Sequence, residues 1–180
     1  MSVKVLWFDI VNRYISIGPY WLLFTYAATL IFTVIYVKAI HKKAIYTGRQ
    51  LLTIGLFFYL ITVYTSTVLS RNTVSGDLVR IWPFSSWKLA LTGSKYNALQ
   101  VVENVVLLVP VGVILPLIIE KKKYASKTVI FGFLFSLFIE ISQFYFQVGF
   151  FEIDDLINNT LGVFMGYTFA YLIMVIVRSR

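Results

Sequence analysis

Cysteine is absent from the 180 residues, which excludes a disulfide, a thiolate nucleophile and a zinc–thiolate centre. Histidine occurs once, as His41, inside the basic run 38–43, where it reads as one more polar loop group. Charge is also scarce. Charged residues make up 13% of the chain against 59% hydrophobic, and the mean hydropathy is +0.81. A soluble domain carries about 25% charged residues, so this is a membrane protein. The net charge of +8 would suggest nucleic acid in a soluble chain. Here the basic residues fall in short stretches between apolar runs, the signature of membrane topology, and no basic stripe with interleaved aromatics lies outside those runs; nucleic acid is not an expected partner.

What is present is a series of long apolar segments. Residues 3–17 repeat apolar side chains at Val3, Leu6, Trp7, Ile10, Val11, Tyr14 and Ile17 against Ser2, Asp9, Asn12, Arg13 and Ser16. That rhythm predicts an amphipathic helix lying along the membrane rather than a cleaved signal peptide. Five runs then reach the length of about 20 residues needed to cross a hydrocarbon core of roughly 30 Å: 20–40, 51–69, 99–119, 128–146 and 156–177. The third contains Pro110, Gly112 and Pro116, which predict an interrupted hydrogen-bond ladder and a kink. The expected fold is all-α, a polytopic helical bundle of about five transmembrane helices plus the N-terminal interfacial helix. It reads as one integral membrane domain over 1–180, with residues 18–69 holding the first two spans, 70–98 an extracellular loop and 99–177 the last three spans.

The loops set the orientation. Lys38, Lys42, Lys43 and Arg49 fill the first connection, Lys121, Lys122, Lys123 and Lys127 the third, and Arg178 and Arg180 the tail, whereas connection 147–155 has three acids and no base. Short basic loops stay in the cytoplasm, so the N-terminus and the acidic connection are expected outside and the C-terminus inside. The loop 70–98 also falls outside despite Arg71, Arg80, Lys88 and Lys95. With Trp82-Pro83-Phe84 and Trp87, it is expected to fold back onto the outer face, its aromatics at headgroup depth.

Polar residues then collect at one level. Glu152, Asp154 and Asp155 stand at the doorway of the last apolar run, where a helix start offers unpaired N–H groups and the positive end of its dipole. Asp154 is as natural an N-cap as a site residue. Asn158 and Asn159 follow Asp155 at i+3 and i+4, and Thr160 and Gly162 continue the strip. Gln100, Glu103 and Asn104 lie in the first turns of the third span, and Glu140 and Gln143 share a face near the outer end of the fourth. At about 1.5 Å per residue, Asn104, Gln143 and Asn159 sit some 5–10 Å below the outer boundary, with Glu140 deeper. A charge near the membrane centre costs roughly 2.5–3.5 kcal/mol, so Glu103 and Glu140 should point into the bundle. The plain alternative is that these groups only hydrogen-bond the helices together, at about 0.6 kcal/mol each. Thr62, Thr65 and Ser66 form a second strip expected to bond to carbonyls of the preceding turn. Arg71, Arg80 and Lys95 bring positive charge to the mouth, as internal ion partners or as a phosphate-binding rim.

Three motifs in order resemble the VanZ-like family: Asn104-Val-Val-Leu107-Leu-Val-Pro110-Val-Gly112, Ser136-Leu-Phe-Ile-Glu140-Ile-Ser-Gln143, and Glu152-Ile-Asp154-Asp155-Leu-Ile-Asn-Asn159-Thr160-Leu-Gly162. Trp82-Pro83-Phe84 is similar to the family's upstream Pro-Phe element. The resemblance covers roughly residues 80–170. It implies a small multi-span protein of the bacterial plasma membrane, whose founding member is associated with resistance to the glycopeptide teicoplanin and has no settled molecular activity. The motif residues it carries over are Asn104, Pro110, Gly112, Glu140, Gln143, Asp155, Asn159 and Gly162. Many members have an Arg where Gly149 stands and an Asp where Glu152 stands. If that Arg pairs with one of the acids, this chain must supply another cation.

Three functions remain open at this level. The first is a binding or protective module, in which Glu103, Asn104, Glu140, Gln143, Asp154, Asp155, Asn158, Asn159, Arg71 and Arg80 line an outward-facing site. Its ligand would be a membrane lipid, a lipid-linked cell-wall precursor, or a glycopeptide or lipoglycopeptide antibiotic. The second is an enzyme acting on a lipid head group, with Glu140 and Asp155 as acid and base. No cofactor is required, although Glu103 with those two acids would offer oxygen ligands to a divalent cation such as Mg²⁺. The third is a proton-coupled transporter, which without an inverted repeat would need a homo-oligomer.

Overall fold

Apolar runs bounded by polar connections become helices, because backbone inside a membrane must satisfy its own hydrogen bonds. A computed structural model of the chain describes residues 45–76, 78–119 and 125–178, with side chains over 48–76, 78–119 and 125–176. The interfacial helix and the first span expected from the sequence lie outside these residues. The chain divides into two units, Met1–Ser70 and Arg71–Arg180.

In the first unit, α1 (Ile45–Tyr64) runs into a π-helical turn, Thr65–Leu69. Thr62 Oγ1 donates to the Phe58 carbonyl at 2.9 Å, Thr65 Oγ1 to that of Ile61 at 2.7 Å and Ser66 Oγ to that of Val63 at 2.9 Å. The strip of hydroxyls is thus satisfied within its own helix, as expected. The Ser70 N–H bonds the Thr65 carbonyl five residues back at 3.0 Å, closing the π turn.

The second unit holds β1 (Val79–Arg80), α2 (Ser85–Leu91), α3 (Lys95–Ile119), α4 (Ala125–Tyr145), β2 (Phe151–Glu152) and α5 (Ile153–Arg178). Four helices among the described residues are long and apolar enough to cross a membrane: Gly48–Leu69, Lys95–Ile119, Ala125–Tyr145 and Ile153–Ile176. Each of the four helices begins three to six residues ahead of the expected span, at Ile45, Lys95, Ala125 and Ile153. The third span starts earlier, at Lys95, because Ser94 caps it: Asn97 Nδ2 donates to Ser94 Oγ at 2.7 Å and the Ala98 N–H to the Ser94 carbonyl at 3.0 Å. The last starts at Ile153, so Asp154 and Asp155 stand inside its first turn rather than ahead of it. Both Pro110 and Pro116 are inside α3, whose helical course continues past them.

Glycine sets the distance between α3 and α5. A Cβ on Gly162 would collide with the Val105 carbonyl oxygen, one on Gly166 with that of Val109, and one on Gly112 with that of Val163. The two backbones touch, which only a Gly-xxx-Gly edge allows. Residue numbers rise together along this contact, so α3 and α5 run parallel. Along α4 they run oppositely: Gly132 faces the Val163 side chain, Ser136 faces Asn159, and Glu140 reaches the backbone of Glu152.

The connection after Arg71 folds back onto the polar ends of α3 to α5. The strand β1 pairs with β2 in parallel, Val79 opposite Phe151 and Arg80 opposite Glu152. The Phe151 N–H donates to the Leu78 carbonyl and the Val74 N–H to the Gln147 carbonyl, each at 2.7 Å. Phe84, at φ 61°, turns the chain into α2.

Candidate functional site

Three carboxylates from consecutive elements come together. Glu140 of α4, Glu152 of β2 and Asp155 of α5 act electrostatically on one another and are only 1%, 6% and 8% exposed. Such a group survives burial only if donors are supplied. Glu140 Oε2 accepts the Glu152 backbone N–H at 2.9 Å. From α3, Gln100 Nε2 donates to Glu152 Oε2 at 3.1 Å and to Asp155 Oδ1 at 3.4 Å. Asn104, one turn further along α3, approaches Asp155 on the same face.

Two arginines complete the group. Arg80 Nη1 pairs with Glu152 Oε1 at 2.8 Å, and its guanidinium carbon lies 3.9 Å from the centroid of the Phe150 ring. The strand pairing of Arg80 with Glu152 dictates this contact. Arg71 approaches the same connector at Gly149. A Cβ on Gly149 would stand 3.2 Å from both Arg71 Nη1 and Gln143 Oε1, so the guanidinium fills the space a side chain at 149 would take. Its charge reaches Glu140 and Asp155. Arg71 is therefore placed to be the other cation that a glycine at position 149 calls for.

The remaining acid and amides are turned to construction. Asp154 caps a different helix from its own: its carboxylate accepts the Phe84 N–H, Ser85 Oγ at 3.1 Å and the Ser86 N–H at 2.6 Å, holding the start of α2. Trp87 Nε1 donates to Asn158 Oδ1 at 2.8 Å and pins the same helix. Asn159 Nδ2 donates to Ser136 Oγ at 2.8 Å, joining α5 to α4. Three amide atoms in this layer, Asn104 Nδ2, Asn158 Nδ2 and Asn159 Oδ1, are buried without a hydrogen-bond partner.

Of the residues singled out by sequence, the structure gathers Asn104, Glu140, Gln143, Asp155, Arg71 and Arg80. Asp154, Asn158 and Asn159 surround that group as its supports. Glu103 is half-buried on α3. Among the described residues no group of three or more His, Cys, Asp or Glu is placed to hold a metal ion. Gln100 and Glu152 belong to the site although they were not among its expected ligands. Both had a signal: each stands in a stretch already recognised as polar. The roles of Ser86, Trp87 and Ser136 had none, since they depend on which helix lies opposite.

The family described as VanZ/LLP1 matches this chain over residues 50–175. Those limits take in α3, α4, all but the last turn of α5 and every residue of the site. No curated protein and no solved structure gives a match.

Proposed function

The chain belongs to the VanZ/LLP1 family, and on that premise we propose that it contributes to resistance against glycopeptides of the teicoplanin type or lipoglycopeptides. It does so by engaging a lipid-linked envelope component, or the lipidated drug itself, at the polar end of its last three spans. The observation that supports this reading is the convergence of Glu140, Glu152, Asp155, Gln100 and Arg80 from five elements into one bonded group. Helix adhesion alone needs no such outlay of buried charge, because amides and glycines already join these helices. The group opens to the outside of the plasma membrane in this proposal: in the sequence, Lys121, Lys122, Lys123 and Lys127 fall around the connection between α3 and α4, and Arg178 and Arg180 at the far end of the last span, and short basic stretches belong in the cytoplasm.

The test is drug susceptibility of bacteria expressing the full chain. Wild type should raise the minimum inhibitory concentration of a teicoplanin-type drug. Glu140→Gln and Gln143→Leu, present in the membrane at equal amounts, should abolish the rise. A full rise retained by both, and by Asn159→Leu, ends the proposal. Turnover of labelled lipid precursor in membrane extracts that disappears with Glu140→Gln would replace binding with catalysis.

A further inference from the structure

Among the described residues at the site end of the second unit, charge divides by burial, with Glu103 half-buried between the two groups. Glu140, Glu152, Asp154 and Asp155 are all buried, whereas Arg71, Arg80, Lys88 and Lys95 are all exposed. A molecule arriving there meets cations, with the acids behind them already supplied with donors. The two arginines meet adjacent residues of one short connector. Arg71 lies against Gly149, while Arg80 stands over Phe150 and pairs with Glu152.

Neither guanidinium is used up. Arg80 gives one nitrogen to Glu152, and its side chain remains 52% exposed. Arg71 makes no ion pair within 4 Å among the described residues. A guanidinium carries more N–H donors than these contacts consume, and the geometry it prefers is the two-oxygen fork of a carboxylate or phosphate. Around the pair, Trp82 and Phe84 are 79% and 57% exposed on the connection that folds over the span ends. Trp is among the residues enriched where headgroups meet acyl chains.

We infer that Arg71 and Arg80 form a binding site for the phosphate of a lipid, with Glu152 and the Gly149 niche fixing where the two guanidinium groups stand. This deepens the function proposed above by giving the ligand its chemistry, and it takes its biological setting from that proposal. The acids then act as the anchor that orients the cations, not as the surface that meets the ligand.

The probe is phosphatidic acid, set against the diacylglycerol of the same chains, each titrated into the purified full chain in detergent and read by native mass spectrometry. Phosphatidic acid should bind at least about tenfold more tightly, and Arg71→Gln should remove about tenfold of that preference, the scale of one charge-assisted hydrogen bond. Arg80→Gln leaves Glu152 without its partner, so Arg80→Lys is the informative variant: it keeps the charge, loses the fork and should fall between wild type and Arg71→Gln. Equal binding of the two lipids, or a preference unchanged in Arg71→Gln, overturns the inference. Inorganic phosphate as competitor identifies the source within a supported site: displacement at millimolar concentration means that free phosphate suffices, and none means that the lipid anchor is required. The two proposals fail separately. Loss of phosphatidic acid preference in Arg71→Gln with resistance intact leaves the phosphate site and removes its link to resistance. Resistance lost in Glu140→Gln with no lipid preference in wild type does the reverse.

Discussion

Asp154 stands in the first turn of α5, the position of a helix-starting acid, yet its oxygens are spent on the start of α2. Sequence spacing places an acid at a helix end; only the fold says whose N–H groups it meets. Removing the carboxylate strips acceptors from two backbone N–H groups, one of them buried. Asp154→Ala should therefore lower stability by about 1 kcal/mol, and by at most about 2, with Asp154→Asn closer to wild type because one acceptor oxygen remains. Thermal unfolding in detergent reads the change, and trypsin should cut sooner at exposed Arg80 and Lys88 as α2 loosens. Position 149 gives a second residue-scale prediction. Gly149→Leu has to evict the Arg71 guanidinium, the flexible partner in that contact. Its effect on phosphatidic acid preference should match Arg71→Gln, and the double variant should be no worse than either, since both remove the same interaction.

Among the elements, α3 and α5 depend on absent side chains. Gly162 and Gly166 let one helix rest on the carbonyls of the other, and Gly112 returns the contact from α3. Gly162→Leu forces the backbones apart where Gln100 and Asn104 must reach α5, so it should cost well over the about 1–3 kcal/mol typical of overpacking. A cysteine pair at Val105 and Gly162 is unsuitable for reading this, since both lie in the contact itself. The measurement is the folded fraction on size exclusion at matched expression, together with loss of the drug phenotype. A folded, fully active Gly162→Leu protein would mean that the helices are not in backbone contact. The two-residue strands make the opposite point. Their pairing is too short to be seen in composition, yet it is what sets Arg80 opposite Glu152.

For the whole molecule, the question is which side of the membrane receives the site. The chain has no cysteine, so a single introduced thiol is a unique reporter. Leu91 is 86% exposed at the site end, and Ser126 is exposed at the opposite end of α4. In intact cells a membrane-impermeant maleimide should label Leu91→Cys and should reach Ser126→Cys only after permeabilisation. The reverse pattern would turn the site to the cytoplasm and end the proposed engagement of an external ligand. Gly149, by contrast, is buried and makes a poor reporter.

The sequence alone determined the class and the layer. Apolar length and sparse charge are one-dimensional quantities that the bilayer reads directly, so membrane residence and the helical character of the described spans were legible from residue order. The order of depth was not: Glu140, expected deeper than Asn159, meets the Glu152 N–H at the start of α5, while Asn159 meets Ser136 one turn further in. Tertiary structure decided which polar groups touch and which way they face. Glu140 and Asp155 share a group, Asp154 and Asn158 serve α2, and the Arg71 guanidinium takes the niche beside Gly149 while Arg80 pairs with Glu152. Those outcomes depend on helix rotation and on what lies across each interface. Both are fixed by close contacts such as Gly162 on Val105, between residues far apart in the chain.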